Sequence, residues 1–204
     1  MKKTLIISTV LIVCAVIFMN AAPAQATEFG ITGGLNMANM SGDFENNKAM
    51  MTFGGGFFGR MSAGPQFTIH SEVLYMMKGT KWDEGDEKLK LNYIEVPVLL
   101  MYNVPMTGPV SPCIFAGPYY ATLVSAKSEF EGQELDMKEA FADNDFGVVV
   151  GAGVDIKMGP TGKIFLNGRY SLGLSNANDF LPDEVSVKHG VISLFAGFGV
   201  GVGP

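Results

Sequence analysis

From Phe67 to Lys78 the chain alternates between apolar and polar side chains. Phe67, Ile69, Val73, Tyr75 and Met77 take one parity, and Thr68, His70, Glu72 and Lys78 the other. Successive side chains of a strand point to opposite faces, so a period of two predicts a strand with one apolar face. The pattern recurs. Ile94, Val96, Val98, Leu100 and Tyr102 oppose Tyr93, Glu95, Pro97 and Leu99. Phe146, Val148, Val150, Ala152, Val154 and Ile156 oppose Asp145, Gly147, Gly151, Gly153 and Asp155. Ile164, Leu166, Tyr170 and Leu172 oppose Asn167, Arg169 and Ser171, while Ile192, Leu194, Ala196, Phe198, Val200 and Val202 oppose Ser193, Gly197, Gly199 and Gly201. Strands are expected near 29–38, 51–62, 65–78, 88–104, 110–126, 145–158, 163–175 and 189–202.

Between them, long connections near 39–50, 79–87, 127–142 and 176–188 alternate with short ones at Ala63-Gly64, Pro105 to Pro109, and Gly159 to Gly162. Such alternation implies two ends with different surroundings, as in an outer-membrane barrel with short periplasmic turns and longer external loops. Most of the strands exceed the roughly 9–11 residues that cross a bilayer when tilted. The mean soluble strand is nearer 5–6 residues.

A soluble barrel turns its apolar face inward, and a membrane barrel does the reverse. Here the second face reads as small or polar and rich in glycine, a poor solvent face but suited to a narrow lumen. Mean hydropathy is +0.25, high for a soluble barrel. The expected fold is all-β: an eight-stranded antiparallel up-and-down transmembrane β-barrel spanning 27–204. Pro97, Pro112 and Pro118 fall inside proposed strands and remove ladder donors, so bulges or a locally open ladder are expected there.

Residues 1–26 read as a signal peptide, with Lys2 and Lys3, an apolar run from Leu5 to Met19, and Ala24-Gln25-Ala26 before a cut at Thr27. A lipoprotein signal ending at Cys14 is disfavoured by bulky Val13 directly before it. Export through this signal to the cell outer membrane of a Gram-negative cell follows as the expected localisation. After the cut only Cys113 remains, which leaves no intramolecular disulfide. Of 14 basic and 20 acidic residues, losing Lys2 and Lys3 leaves a net charge of −8, which argues against nucleic acid as a partner. The acidic residues cluster in or beside the proposed loops, Asp83, Glu84, Asp86 and Glu87 in one, and Glu129, Glu131, Glu134 and Asp136 in another.

Arg60, Glu72, Glu95 and Arg169 fall on lumen faces and are the candidate site, a lumen ion-pair network. In an eight-stranded barrel the third and seventh strands face each other, so Glu72 can meet Arg169. Buried charges are tolerable when paired and hydrogen-bonded. A closed, salt-bridged lumen is expected over a gated ion path or a paired-carboxylate catalyst.

No catalytic residue, metal site or cofactor is expected. Ser71 lies on the opposite face from His70, Ser193 follows His189 by four residues without further marks, and no G-x-S-x-G occurs. Two histidines and one mature cysteine do not make a zinc cluster. Gly54-Gly55-Gly56 and Gly151-Ala152-Gly153 precede no amphipathic helix, so they read as relief of crowding rather than phosphate cradles. Phe67, Tyr75 and Tyr102 suit the interfacial girdles, and Trp82 reads as a residue of the second long loop.

The segments Gly30-Ile-Thr-Gly-Gly-Leu-Asn36, Gln66 to Gly79, Leu91 to Tyr102 (LNYIEVPVLLMY), Ala116-Gly-Pro-Tyr119, Phe146 to Val154 and Arg169-Tyr-Ser-Leu-Gly-Leu174 resemble the PorT-like outer-membrane β-barrel family. LNYIEVPVLLMY is the most specific of them. The resemblance implies an eight-stranded outer-membrane barrel; some members are linked to protein secretion, which attaches to no residue here. Outer-membrane barrels usually finish on an aromatic residue, whereas this sequence ends Val202-Gly203-Pro204 with Phe195 and Phe198 its last aromatics. The functional expectation is a monomer in outer-membrane lipid, of structural or interaction type, meeting a protein or surface ligand through its loops. A membrane-embedded lipid hydrolase and a soluble periplasmic ligand-binding barrel are the alternatives.

Overall fold

The computed structural model describes residues 27–42, 47–82, 88–130, 133–138, 141–175 and 187–202. Nine strands follow in chain order: β1 (Thr27–Gly42), β2 (Asn47–Ser62), β3 (Phe67–Trp82), β4 (Lys88–Asn103), β5 (Val110–Phe130), β6 (Gln133–Asp136), β7 (Asn144–Met158), β8 (Gly162–Gly173) and β9 (Val187–Val202). They form one sheet in the order β4-β3-β2-β1-β9-β8-β7-β5-β6, and an extra β4–β5 pairing closes it. All pairings are antiparallel. Setting aside β6, which hangs from β5 alone, the closed ring has eight strands. The expected signal segment, residues 1–26, lies outside the described residues.

The apolar faces point outward. Phe29, Ile31, Leu35, Met37, Phe53, Phe57, Ile114, Val150, Leu194 and Phe198 are all exposed. From Phe29 to Met37 the strand advances roughly 27 Å at its usual rise. That is about 20 Å along the normal of a barrel tilted near 40°, close to the apolar band of outer-membrane barrels. A soluble barrel needs these faces inward, so that alternative fails. Phe67 and Tyr102 pack with ring centroids 5.5 Å apart at the short-turn end, and Tyr75 is exposed nearer the other end. Leu194 is 56% exposed near the middle of β9. Leu194→Arg should therefore cost about 2–4 kcal/mol of folding free energy in vesicles, read from urea titrations; no loss would mean Leu194 does not meet lipid.

Three differences from the sequence reading have physical causes. Strands run further toward the long-connection end than expected, β1 to Gly42 and β3 to Trp82, leaving residues 43–46 and 83–87 between strands. Above the membrane both faces of a strand are wet, so no apolar face reveals it in the sequence. The third connection likewise contains strand: β5 continues to Phe130 and folds back as β6, with Lys127↔Asp136 and Phe130↔Gln133 paired. Glu129, Glu134 and Asp136 are thus strand residues, and Lys127 bonds Glu134, which holds the Lys127 ammonium above its ordinary pKa.

The lumen, third, is not simply small and polar. Leu91, Tyr93, Leu99, Met101, Phe115, Tyr119 and Leu123 of β4 and β5 make a buried apolar cluster with Val149 of β7. Glycines make room for its rings. A Cβ on Gly151 would lie 2.4 Å from the Phe115 ring, and one on Gly147 2.6 Å from the Tyr119 ring.

Two of the three strand prolines, Pro97 and Pro118, sit where the ladder opens, whereas Pro112 pairs with Val154 in an unbroken β5–β7 register. β3–β4 partners stop at Ser71↔Val98 and resume at Leu74↔Glu95, beside Pro97. β4–β5 partners skip from Pro97↔Tyr119 to Leu100↔Ala116, across Pro118. Each short turn carries one positive-φ glycine, Gly64, Gly108 or Gly159, in the region that L side chains avoid.

Candidate functional site in the barrel lumen

Lumen-facing charges fall into two connected groups. The first is centred on Glu72 of β3. Arg169 of β8, on the diametrically opposite strand, donates from Nη1 to Glu72 Oε2 at 2.5 Å and from Nη2 to Oε1 at 3.1 Å. This forked geometry is the stronger form of the pair. Arg169 Nε also donates to Asn167 Oδ1 at 3.3 Å, and the guanidinium lies 4.2 Å from the Phe195 ring centroid. Glu72 and Arg169 are 1% and 4% exposed, so both charges are cut off from bulk water and lean on their protein partners.

His70 connects this pair to Arg60. Arg60 Nε lies 2.6 Å from His70 Nδ1, and His70 Nε2 lies 2.8 Å from Glu72 Oε1. Guanidinium nitrogen only donates, so Nδ1 accepts, the ring proton sits on Nε2, and His70 is neutral. Its ring stacks on Phe58 at 5.3 Å. Arg60 reaches onward to Asp155 of β7 at 2.8 Å, with its guanidinium carbon 4.5 Å from the Phe165 centroid. Glu28 and Lys163 complete this end: Lys163 Nζ is 2.6 Å from Glu28 Oε2.

The second group lies toward the long-connection end. Lys78 of β3, fully buried, holds Glu95 of β4 at 2.8 Å and Asp145 of β7 at 3.2 Å. Its ammonium sits between two rings, 5.0 Å from Tyr93 and 4.7 Å from Tyr119. Tyr119 Oη donates to Asp145 Oδ2 at 3.0 Å, and Ser175 Oγ to Asp145 Oδ1 at 2.5 Å. Each of these three cations, Arg60, Lys78 and Arg169, therefore has both a carboxylate and an aromatic face, which compensates much of its lost hydration.

Of the four candidate residues, Arg60, Glu72 and Arg169 are brought together through His70, while Glu95 belongs with Lys78. Glu28, Lys78, Asp145, Asp155 and Lys163 are lumen charges beyond the four expected from the sequence. Lys78, Asp145 and Asp155 were visible by parity on the polar faces of their strands. Their partners were not, because which residues meet across a barrel depends on its stagger.

Chemically, the arrangement holds charge still. Both ring nitrogens of His70 are engaged, and Ser71 projects to the other face, so no serine–histidine pair forms there. Ser193 is buried in the lumen, but the imidazole of His189 lies outside the described part, as does the indole of Trp82. Among the described residues no group of His, Cys, Asp and Glu is arranged to hold a metal ion. Cys113 is a buried free thiol.

Comparison with known proteins agrees with the architecture. Neisserial surface protein A superposes with a TM-score of 0.52 at 18% identity, covering 84% of this chain and 96% of that one. The outer membrane protein OprG from Pseudomonas aeruginosa superposes with a TM-score of 0.53 at 15% identity, covering 89% and 98%. At these identities the likeness shows the fold alone. No functionally curated sequence matches this one. The family described as "Outer membrane protein beta-barrel domain" matches residues 22–179. This chain belongs to that outer-membrane β-barrel family.

Proposed function

We propose that this protein is a closed outer-membrane barrel that conducts little and works as a structural or interaction protein through its long-connection end. The observation that carries the reading is the pair of braces across the lumen. Glu72–Arg169 and Arg60–Asp155 each join diametrically opposite strands, and the Leu91–Tyr119 apolar cluster fills the β4–β5 side. An eight-stranded barrel is only wide enough for packed side chains. Such a lumen suits a scaffold better than a solute path. The β5–β6 hairpin, with exposed Leu135 and the Lys127–Glu134 pair, supports an outward-presented surface. Within the family we read the chain as PorT-like, on the LNYIEVPVLLMY segment and its companions, and as a non-enzymatic monomer exported by cleavage of residues 1–26.

Single-channel recording in planar bilayers tests the closed lumen. Wild-type protein should give little conductance, and Arg60→Ala with Arg169→Ala should raise leak. A large steady wild-type conductance would overturn the reading. Cleavage of the long connections by protease on intact cells, with loss of a bound partner, tests the interaction role.

A further inference from the structure

At the short-turn end the lumen widens into a cavity of about 410 Å³, within the range of small-molecule sites. Five charged residues line it, Arg60, Lys157 and Lys163 against Glu28 and Asp155, a surplus of one positive charge. Both carboxylates are already engaged by the protein. Lys163 Nζ is 2.6 Å from Glu28 Oε2, and Arg60 Nη1 is 2.8 Å from Asp155 Oδ2. Their other oxygens, Glu28 Oε1 and Asp155 Oδ1, are sealed within the protein, as is Arg60 Nη2. A ligand in the cavity reaches none of these three atoms.

Two lysines, by contrast, stand at the accessible surface. Lys163 has 30% of its side chain exposed, against 9% for Glu28 and Asp155. Lys157 shares the parity of Asp155 on β7, is exposed, and enters no ion pair among the described residues. Lys157 and Lys163 are direct partners across β7 and β8. Like charges directly opposite one another are unfavourable, and an anion between them relieves the repulsion. Hydroxyls add uncharged donors: Thr68 Oγ1 accepts from Asn103 Nδ2, which leaves its hydrogen for a ligand, and Ser111 and Thr161 also line the cavity. The reachable wall therefore offers two ammonium groups and several hydroxyls, and no free carboxylate oxygen.

We propose that this cavity binds a small organic carboxylate from the periplasmic side, the side short turns face. One carboxylate cancels the surplus charge, seats between Lys157 and Lys163, and has lone pairs to spare for the hydroxyls. A cation would meet the two lysines first. A phosphate dianion would overcompensate and leave a negative charge beside Glu28 and Asp155. Because Lys157 stands in water, added salt screens it and lowers the affinity.

The test titrates three probes into protein folded in a non-ionic detergent, whose headgroup brings no anion. N-acetylglycine carries one carboxylate, N-acetylglycinamide is its neutral counterpart, and ethyl phosphate is a dianion above neutral pH. Calorimetry and chemical-shift mapping should show saturable N-acetylglycine binding, with shifts at the short-turn end and weakening in added salt. The amide and the phosphate should each bind on the order of tenfold more weakly. Lys157→Gln removes the unpaired charge and should lose a similar factor, whereas Lys157→Arg should retain binding. Lys157 is exposed, so both variants should keep the heat-dependent gel shift of the wild type. Lys90→Gln, at the long-connection end, is the control and should bind as wild type does. Absence of saturable N-acetylglycine binding, equal binding of the amide or the phosphate, or undiminished binding by folded Lys157→Gln would overturn the proposal.

Discussion

Arg169→Ala should destabilise the barrel by about 3–5 kcal/mol, the usual cost of leaving one half of a buried ion pair. Glu72 would keep the His70 proton at 2.8 Å but lose both bonds to the guanidinium. Removing both charges tells a different story. In Glu72→Leu with Arg169→Met the buried charge and its partner disappear together, and apolar replacement of a buried pair is often neutral. Most of the lost stability should return. Urea titrations of vesicle-folded protein, with the heat-dependent gel shift as the fold check, measure both variants. Wild-type stability in Arg169→Ala would show that the pair is dispensable.

Gly56→Ala should have an effect as large through backbone alone. A Cβ at Gly56 would lie 2.0 Å from the carbonyl oxygen of Val73 on the neighbouring strand and 3.0 Å from the Leu74 Cα. No rotamer relieves a clash with backbone, so β2 and β3 would have to separate where Gly56 pairs with Leu74. The expected loss is about 3 kcal/mol or more. Gly33→Ala is the control: its Cβ would meet nothing closer than 3.5 Å. The alanine at position 33 should leave the gel shift unchanged, whereas Gly56→Ala should weaken or abolish it. Equal behaviour of the two would mean that strand crossing at Gly56 is looser than described.

Strand identity and facing were legible because lipid demands an unbroken apolar parity on one side of every strand. Ile192, Leu194 and Phe198 announce the outside of β9 as plainly as Ser193 and Gly197 announce its inside. Legibility failed where that contrast vanishes. In β4 both parities are apolar, so Leu91, Tyr93 and Leu99 could be placed inside only by their neighbours, and the apolar half of the lumen went unread. Beyond the membrane no sustained apolar parity marks a strand, which hid the ends of β1 and β3 and the whole of β6. In the site, Glu72 and Arg169 could be matched because opposite strands at mid-height meet whatever the local detail. Lys78 with Asp145, and Glu28 with Lys163, meet only after the stagger of the barrel is set.

The cluster of Glu28, Arg60, Asp155 and Lys163 at the short-turn end also bears on how the barrel comes to be assembled. Glu28 and Lys163 are 135 residues apart in sequence, and Arg60 and Asp155 are 95 apart. Neither of these two short contacts can form within a single hairpin; only the longer Glu28–Arg60 and Asp155–Lys163 approaches, at 3.7 and 3.8 Å, lie within β1–β2 and β7–β8. A partly inserted chain, with β1 and β2 in place and β7 and β8 still to come, would hold Glu28 and Arg60 without their principal partners in a poorly hydrated interior. Half-built barrels are thereby penalised, and the reward arrives only when the first and last strands meet along the β1–β9 seam. Insertion should consequently be slow, as non-local topology dictates, and close to all-or-none, with this charge cluster serving as a latch on completion.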